Sequence, residues 1–588
     1  MTPLRRLLSA RLAVAFAAEG LPEDLATVER SDRPDLAQFQ CNGAMAAAKI
    51  AKAPPRQIAE RIAARLADDG FFADVSVAGP GFINLNLSVY AVNAHLSALA
   101  AHERFGFDAA RRQNVVLDFG GPNIAKPMHV GHLRATIIGD ALQRIFRFSG
   151  DHTVSDVHMG DWGKPIGMLI DALRSEAPDL PYFAADAEGP FPAEPPVTME
   201  ALERLYPHAA AACKTDPDRD EAARRATAEL QAGRPGYRAL WQHFRDVSRQ
   251  GMEREFGALG VTFDLWNGES DVDARIAPML DDLMARGIAE QDDGAIIVRV
   301  ARSDDTQDVP PLILRTGDGA ATYGATDLAT IAERVETFAP ALILYVVDQR
   351  QHLHFEQVFR AAHLAGYAPE TALEHLGFGT MNGPDGKPFK TRAGGVMKLY
   401  DLIALMRDKA TERLDAANLA ADMSAEERAD IAQQVGMAAL KFADLMNQRQ
   451  SDYVFDIDRF VQFEGKTGPY LQYQAVRIQS ILRKAGHDPS APPPAAFAIE
   501  SQVEMDLALT LSEFPHVIER TKEKRAPNIL CEHAFELAQC FSRFYNAHHI
   551  LSEDDAPLRQ SRLGLCAVTL AQLTCALDLL GIRVPARM

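Results

Sequence analysis

The segment from residue 114 to 148 constrains the fold more than any other part of the chain. It begins with a short, nearly continuous apolar run, Asn114–Phe119, which is typical of a strand buried on both faces of a parallel sheet. A glycine-containing loop follows over residues 120–128, and a helix-period segment then runs to Phe148. Strand, glycine loop and helix in this order form half of a nucleotide-binding βαβ unit. The centre of the chain is therefore predicted to be an α/β domain.

Length and charge limit the class of protein. The chain has 588 residues, 47% of them hydrophobic and 24% charged, which indicates an ordinary globular protein of about four domain-sized units. No uninterrupted apolar run of about 18 residues occurs, so we expect no membrane-spanning helix. The net charge of −19 argues against non-specific coating of nucleic acid, because phosphate binding needs Lys and Arg on the contacting face. The net charge remains compatible with specific binding of one folded RNA through local stripes of basic residues.

The N-terminus and the cysteines bear on location. Residues 1–20 could pass for a signal peptide, but Arg11 interrupts the apolar patch and the leucines fall at helical spacing, which favours an amphipathic helix. The six cysteines form neither a CxxC pair nor a plausible disulfide framework. We therefore expect a cytoplasmic protein without structural zinc.

Composition and periodicity divide the chain into three parts. Residues 1–110 are predicted to be a small α+β module, with helices near 3–18 and 54–69 and a hairpin over 75–87; residues 111–403 an α/β domain with an insertion at about 170–290 and further strands at 295–300 and 341–347; and residues 404–588 an all-helical domain. No coiled-coil heptad or obvious dimerisation element is visible, so we expect a monomer.

The start of the first predicted helix of the α/β domain carries the most informative motif, His129-Val-Gly-His132. Two histidines at i, i+3 point toward the same turn, where exposed N–H groups and the helix dipole already favour anions. Lys126 adds a cation, and Gly131 lets a flat group approach the backbone. Two unrelated surface histidines are the alternative, but the position directly after a buried strand and a glycine loop favours a triphosphate site.

The HVGH string resembles the HIGH signature of class I aminoacyl-tRNA synthetases, and the longer string around it resembles the arginyl-tRNA synthetases. Further matching segments cover nearly the whole chain, at residues 39–45, 78–84, 158–163, 348–352, 467–473 and 584–588. The resemblance implies a Rossmann-type catalytic domain with an insertion, an N-terminal module that contacts tRNA and a helical anticodon-binding domain. It also implies ATP-dependent ligation of arginine to tRNA-Arg, with bound tRNA needed before arginine is activated.

The expected arginine site combines the resemblance with the chemistry of the ligand. A guanidinium group is planar and always charged, so its pocket needs carboxylates and flat acceptors. The residues expected there are Asp118, Gly121, Pro122, Asn123, His132, Tyr323, Asp327 and Gln351. Taken alone, Asp327 could equally cap a helix and Tyr323 could be a packed core ring.

The second class I signature, the lysine-rich KMSKS loop, corresponds here to residues 386–395 and departs from the pattern at Pro388 and Thr391. In family members with such a loop, the lysine before the HIGH string, here Lys126, takes over part of its role. The expected ATP site comprises Lys126, His129, Gly131, His132, Lys387 and Lys390, with catalytic roles for Lys126, His129, His132, Lys390 and Arg392. A solvated glycine-rich hairpin is the alternative for the loop.

Two other site types are tested and set aside. Gly465-Lys466-Thr467 looks like the end of a P-loop, but its first glycine would fall on Phe460. No HExxH or paired-cysteine metal motif occurs, so we expect no tightly bound protein metal and Mg²⁺ only as carried by ATP.

The tRNA contacts follow from the resemblance and from residue type. Tyr470, Gln472, Tyr473 and Arg477 offer rings, amides and charge to unstacked bases, and Gln40 and Asn42 are expected near the tRNA elbow. The spacing of the first group is also that of an ordinary buried helix face. Two other functions stay open: a nucleotidyltransferase or other class I ligase with an HxGH motif, and a non-catalytic tRNA-binding paralogue.

Overall fold

The computed structural model describes residues 1–108, 112–184, 187–317, 319–383, 385–387, 389, 397–420, 423–491 and 496–588. The chain folds into two compact units. One comprises residues 1–110, 413–438 and 462–588, and the other residues 111–412 and 439–461. The second unit thus includes a short piece of the region that the sequence assigns to the helical domain.

The N-terminal part of the first unit is an α+β module around an antiparallel sheet. Its elements are α1 (Leu4–Ala18), β1 (Val28–Arg30), β2 (Phe39–Cys41), α2 (Gly43–Ala51), α3 (Pro55–Leu66), β3 (Phe72–Ala78), β4 (Phe82–Leu87) and α4 (Val89–Ala100). The strand order is β1-β2-β4-β3, and the predicted hairpin is confirmed as β3 and β4. Helix α1 is amphipathic as predicted, because Leu4, Leu8, Leu12 and Phe16 are buried.

The second unit contains the predicted α/β domain. Its elements are β5 (Asn114–Phe119), α5 (Val130–Phe148), β6 (His152–Asp156), α6 (Lys164–Glu176), α7 (Met199–Thr215), α8 (Pro217–Gln231), α9 (Pro235–Leu259), α10 (Asp273–Ala285), β7 (Ala289–Asp292), β8 (Ala295–Val298), β9 (Leu312–Arg315), α11 (Tyr323–Phe338), β10 (Leu342–Val346), α12 (His352–Ala365), β11 (Ala372–His375), β12 (Met381–Asn382) and α13 (Leu399–Ala416).

Four parallel strands form the main sheet, in the order β11-β10-β5-β6. The connection from β5 leads to β6 on one side, and that from β10 leads to β11 on the other. The strand order therefore reverses between β5 and β10, and a doubly wound sheet opens a ligand crevice at the carboxyl ends of two such strands. Helix α5 packs closely on β5, since a Cβ at Gly139 would lie 2.1 Å from the Phe119 ring. Residues 120–129 are thus placed at the crevice.

The predicted strand at 295–300 is confirmed, and it lies outside the parallel sheet. The run at 295–300 forms β8, which belongs to a separate antiparallel sheet in the order β7-β8-β9 instead of the parallel sheet. The reason is local: Asp293 and Gly294 join β7 to β8 with φ values of 47° and 80°, as a two-residue hairpin turn requires. Helices α7 to α9 lie within the range in which the sequence predicts an insertion.

The rest of the chain is mainly helical. Its elements are α14 (Ala425–Leu445), β13 (Tyr453–Val454), α15 (Ile457–Phe460), α16 (Gly468–Lys484), α17 (Gln502–Ser512), α18 (Phe514–Lys524), α19 (Pro527–Ala547) and α20 (Ala556–Leu579). Helix α16 begins at a Thr467 cap and α17 at a Ser501–Glu504 capping box, as their sequences favour. Among the described residues, α20 is the single helix long and apolar enough to cross a membrane, but 72% of its apolar window is buried inside the protein. It is packed as a core helix.

Candidate active site

The histidine turn is built by the backbone of α5. His129 is the N-cap residue, and its Nδ1 accepts a hydrogen bond from the Gly131 N–H at 3.0 Å. The His132 Nδ1 in turn accepts from the His129 N–H at 3.1 Å. A ring nitrogen that accepts from a backbone N–H carries no proton, so each neutral ring bears its proton on Nε2. The two rings lie 4.1 Å apart between centroids.

Both histidines are held neutral. Burial lowers the pKa of His132 to about 3, and His129 and Lys126 add to the effect. Burial, followed by the charge of Lys126, also lowers the pKa of His129. At neutral pH the turn therefore presents two Nε2–H donors beside the ammonium of Lys126, which is a site for an anion.

The surroundings of the turn fix its shape. A Cβ at Gly131 would lie 2.7 Å from the His129 Cε1, so the glycine makes room for this ring. The main chain of residues 128–130 pairs with that of residues 397–399, through Val130 N–H to Met397 O at 3.1 Å and Leu399 N–H to Met128 O at 2.9 Å. Lys387 is exposed in a turn closed by the Gly383 N–H bonded to its carbonyl. Lys390 and Arg392 lie outside the described residues.

The loop between β5 and α5 lies against the segment after β6. Gly121 N–H donates to the Val157 carbonyl, and Ile124 N–H to that of Gly160. A Cβ at Gly160 would lie 2.1 Å from the Asn123 Oδ1, so this glycine is what allows the Asn123 amide its place. Asn123 and Gly121 are exposed, whereas Pro122 is buried. Gly121 has a φ of 44°, a left-handed conformation that suits glycine.

Asp118 does not present a free carboxylate. It is buried at the end of β5, and its Oδ2 lies 2.8 Å from the Arg334 Nη2, which is also 2.8 Å from the Asp156 Oδ2. Burial raises the pKa of Asp118, with Arg334 opposing this effect. The expectation that Asp118 faces a substrate guanidinium is therefore corrected: its partner is the guanidinium of this chain's own Arg334.

Sequence reasoning missed two further residues here: His158, which lies beside this ion pair, and the buried Glu269, which lies near His158. Burial alone would lower the pKa of His158, but Asp156 and Asp118 outweigh it and raise the pKa to about 9. Burial raises the pKa of Glu269 to about 8; His158 opposes this shift, and the carboxylates of Asp327 and Asp161 add to it. Glu269 therefore lacks the nearby positive charge that would stabilise its ionised form.

Glu269 owes its position to long-range backbone pairing. Its N–H donates to the Met159 carbonyl at 3.1 Å, and the Met159 N–H donates to the Asn267 carbonyl at 2.8 Å. No local sequence pattern marks such a residue. The sequence signal that remains is Gly268, the residue before Glu269. A glycine is needed there, because a Cβ would lie 2.6 Å from an Asp161 carboxylate oxygen.

The predicted residues on and beside α11 face the same region. Asp327 is not the helix cap, because Thr322 caps α11 by accepting from the Gly324 N–H. Its Oδ2 lies 2.5 Å from the His354 Nε2. Gln351 is exposed in the turn between β10 and α12, one helical turn before His354. Tyr323 is 61% exposed and hence no core ring.

A cavity of about 860 Å³ lies beside Glu269 and Tyr323, and its lining carries both signs of charge: Glu221 and Glu269 against Lys164, Arg224 and Arg225. Its lining includes Trp162, Lys164, Glu269, Thr322, Tyr323 and Thr326. Burial raises the pKa of Tyr323, and nearby Glu269, Tyr206 and Asp327 contribute in that order. The Lys126 Nζ lies 4.8 Å from the Tyr206 ring centroid, and Tyr206 in turn lies close enough to Tyr323 to affect its pKa, so Tyr206 stands between the histidine turn and the cavity. Among the described residues, no group of three His, Cys, Asp or Glu side chains is placed to hold a metal ion.

The predicted tRNA contacts divide by exposure. Gln472 has no exposed surface, and its Nε2 donates to the carbonyls of Arg583 and Gln434 at 2.6 and 3.2 Å. The expected contact of Gln472 with tRNA is wrong, because its side chain is buried and bonded to the main chain of two other segments. Tyr470, Tyr473 and Arg477 are half-buried, and Arg477 lies 4.2 Å from the Tyr545 ring centroid.

In the α+β module the two predicted contact residues are accessible. Gln40 is half-buried and donates to the Asn84 Oδ1 at 3.0 Å. Asn42 is exposed at the start of α2 and makes no side-chain cap.

The parallel sheet, the crevice at its switch point and the HVGH turn have the organisation of a class I aminoacyl-tRNA synthetase catalytic domain. Comparison with family models agrees, with matches to the arginyl tRNA synthetase N-terminal domain over residues 3–87, the catalytic domain of class I (R) tRNA synthetases over 95–457 and the DALR anticodon-binding domain over 471–588.

Relatives that match over the whole chain are arginine–tRNA ligases. The chain is 53% identical to an arginine–tRNA ligase of Maricaulis maris, covering 99% of both chains, and 52% identical to one of Hyphomonas neptunium, covering 100% of both. Two solved arginyl-tRNA synthetases share its fold at 24% identity and full coverage of both chains: that of Plasmodium falciparum with a TM-score of 0.82 and that of Thermus thermophilus with 0.79. The chain belongs to the arginyl-tRNA synthetase family, and the predicted fold class is confirmed.

Proposed function

We propose that this chain is an arginine–tRNA ligase. It uses ATP to convert L-arginine to arginyl-adenylate and transfers the arginyl group to the 3′ end of tRNA-Arg, releasing pyrophosphate and AMP. One observation carries the proposal: after the carboxyl end of β5, a turn presents neutral Nε2–H donors next to Lys126, while Glu269, a carboxyl group with a raised pKa, lies near the carboxylate of Asp327. This arrangement fits a triphosphate next to a guanidinium-bearing amino acid.

In the activation step, the arginine carboxylate attacks the α-phosphorus of ATP and pyrophosphate leaves. His129 and His132 donate Nε2–H to phosphate oxygens, and Lys126 adds a positive charge. These groups are already in place before the negative charge moves, which is how a rigid site lowers the barrier of phosphoryl transfer. Lys387, Lys390 and Arg392 are proposed to contribute further cations.

For arginine binding we assign the carboxylates of Asp327 and Glu269 to the cationic groups of the substrate. Tyr323 lies at the mouth of the cavity, where its ring can cover the ligand. Asn123 and Gln351 are exposed at the carboxyl ends of β5 and β10, and each offers an amide for orientation of the head group. Asp118 contributes indirectly, because its ion pair with Arg334 fixes the position of that guanidinium.

Transfer needs the tRNA to be held at two places. We propose that Tyr470, Tyr473 and Arg477 of α16 contact the anticodon region, and that Gln40 and Asn42 contact the tRNA elbow. Half-buried tyrosine rings and a guanidinium on the same helix suit unstacked bases and nearby phosphates. A ribose hydroxyl of the terminal adenosine then attacks the acyl carbon of the adenylate, and AMP leaves.

Mg²⁺ is proposed to enter with ATP. The described residues around the histidine turn are N–H donors and cations instead of the oxygen ligands that Mg²⁺ prefers, so the phosphates themselves would hold the ion. We further propose that the protein works as a monomer in the cytoplasm.

The test is ATP–pyrophosphate exchange with each of the twenty amino acids, with and without the matching tRNA, followed by charging of tRNA-Arg. We expect exchange with arginine alone and stable charging of tRNA-Arg. Exchange with a different amino acid would indicate another class I ligase. Binding of tRNA-Arg without charging would indicate a non-catalytic paralogue.

A further inference from the structure

Arg134 lies two residues after His132 on α5 and is 2% exposed, yet the proposed chemistry gives it no role. Its Nε donates to the Asp444 Oδ2 at 3.1 Å, and its Nη1 donates to the Ser451 carbonyl at 3.0 Å. Asp444 is 1% exposed and lies in the same compact unit as α5. The helix that carries the histidine turn is therefore tied through its first turns to the segment 444–451.

Tyr453 completes this cluster. Its hydroxyl donates to the same Asp444 Oδ2 at 2.9 Å, and the Arg134 guanidinium lies 5.1 Å from its ring centroid. Tyr453 is on β13, where it pairs with Met381 of β12. Next to this pair, the Thr380 N–H donates to the Asp452 Oδ1 at 2.6 Å.

Strand β12 leads directly into the turn that carries Lys387. Gly383 follows the strand, and its N–H donates to the Lys387 carbonyl at 2.8 Å. The cluster of Arg134, Asp444 and Tyr453 thus stands between two groups proposed to bind phosphate: the histidine turn on one side and the Lys387 turn on the other.

Burial of the charged and polar groups of this cluster costs free energy of folding. Within the described part of the chain, the Asp444 Oδ1 and the Arg134 Nη2 have no hydrogen-bond partner. Burial raises the pKa of Asp444 although Arg134 opposes the shift. Apolar side chains of similar volume often stabilise a fold as well as a buried ion pair does. What an ion pair with a shared hydrogen bond adds is a defined geometry between the elements that carry it.

We propose that Arg134, Asp444 and Tyr453 are positioning residues that hold the histidine turn and the Lys387 turn at the separation needed to bind ATP. They do not touch ATP themselves, and the inference rests on the proposed function. A displacement of about 1 Å between catalytic groups lowers a rate by up to about 100-fold. Asp327 and Glu269 lie on other elements, α11 and the segment before α10, so arginine binding should be spared.

The experiment compares Asp444→Asn and Tyr453→Phe with a matched control. Glu504→Gln removes the carboxylate from another buried ion pair, in which the Glu504 Oε1 lies 2.8 Å from the Arg562 Nε in the other compact unit. Arginine-dependent ATP–pyrophosphate exchange with saturating tRNA gives kcat and the KM for ATP and for arginine. The thermal unfolding midpoint reports stability.

For Asp444→Asn we expect the KM for ATP to rise or kcat to fall by about tenfold, with the KM for arginine changed by less than about twofold. Tyr453→Phe, which removes one hydroxyl, should shift the same constants by a smaller factor. Glu504→Gln should lower the unfolding midpoint and leave all three constants unchanged. If Asp444→Asn does not fold, Tyr453→Phe decides the question.

The inference is overturned if the two variants keep wild-type kcat and KM for ATP, whatever their stability, or if the KM for arginine changes as much as that for ATP. A wild-type protein without arginine-dependent exchange would refute the proposed function instead, so the two failures are distinguishable.

Discussion

Arginine binding should release a proton from Glu269. In the free protein, burial raises the pKa of this carboxyl to about 8, so at pH 7 about nine molecules in ten carry the proton. A bound guanidinium or ammonium group stabilises the ionised form. The proton must therefore leave when the cationic substrate enters, and arginine binding at pH 7 should release about 0.9 proton.

The sign of the pH dependence follows from the same linkage. Below the raised pKa, each molecule must lose a proton before it can bind well, so the affinity for arginine should rise with pH. The Kd should fall about ninefold between pH 6 and 7 and about fivefold between pH 7 and 8, and then level off. His158, whose pKa is raised to about 9, stays mostly charged across this range, so its titration contributes little to the pH dependence of the Kd.

Isothermal titration in buffers of different ionisation enthalpy measures the released proton directly. Glu269→Gln should abolish both the release and the pH dependence, whereas Glu536→Gln, which removes another carboxyl with a raised pKa but in the other compact unit, should preserve them. Equal proton release by the wild type and Glu269→Gln, or a flat Kd between pH 6 and 8, would refute the reasoning.

Three further changes test the two halves of the site. His132→Ala should lower the adenylation rate by about 100- to 1000-fold while tRNA affinity stays nearly constant, because one preorganised donor to the phosphates is lost; equal losses in single-turnover rate and in filter-binding affinity would contradict this role. Asp327→Asn should raise the arginine KM by about 10- to 100-fold, since a charge-assisted hydrogen bond becomes a neutral one, and an unchanged KM would exclude a contact with the substrate cation. Gly131→Ala places a Cβ 2.7 Å from the His129 Cε1, so the ring must turn away; we expect a higher KM for ATP with little change in the unfolding midpoint, and wild-type kinetics would show that the ring position is unimportant.

Features set by neighbouring residues were predictable from the sequence. The hairpin of β3 and β4, the buried strand β5 and the start of α5 at the histidines each depend on residues close together in the chain, and each is confirmed. The turn at Asp293 and Gly294 follows the same rule, because Asp-Gly between two apolar runs is a strong hairpin signal.

Features set by distant partners could not be predicted in this way. Asp118 looked available for a substrate because nothing near it in sequence announces Arg334, which neutralises it. Glu269 was missed because backbone pairing with Met159 brings it to the cavity. For Gln472, helical spacing alone cannot distinguish the buried face of α16 from its exposed face.

The capping of α5 by its own histidines limits what these rings can do. Since a main-chain amide occupies each Nδ1, the nitrogen that remains on each ring already bears hydrogen. Neither imidazole has a vacant lone pair with which to abstract a proton from an incoming oxygen nucleophile. When the ribose hydroxyl attacks the adenylate, its proton must therefore pass to a group other than these two imidazoles, and mild acidification would leave His132 uncharged.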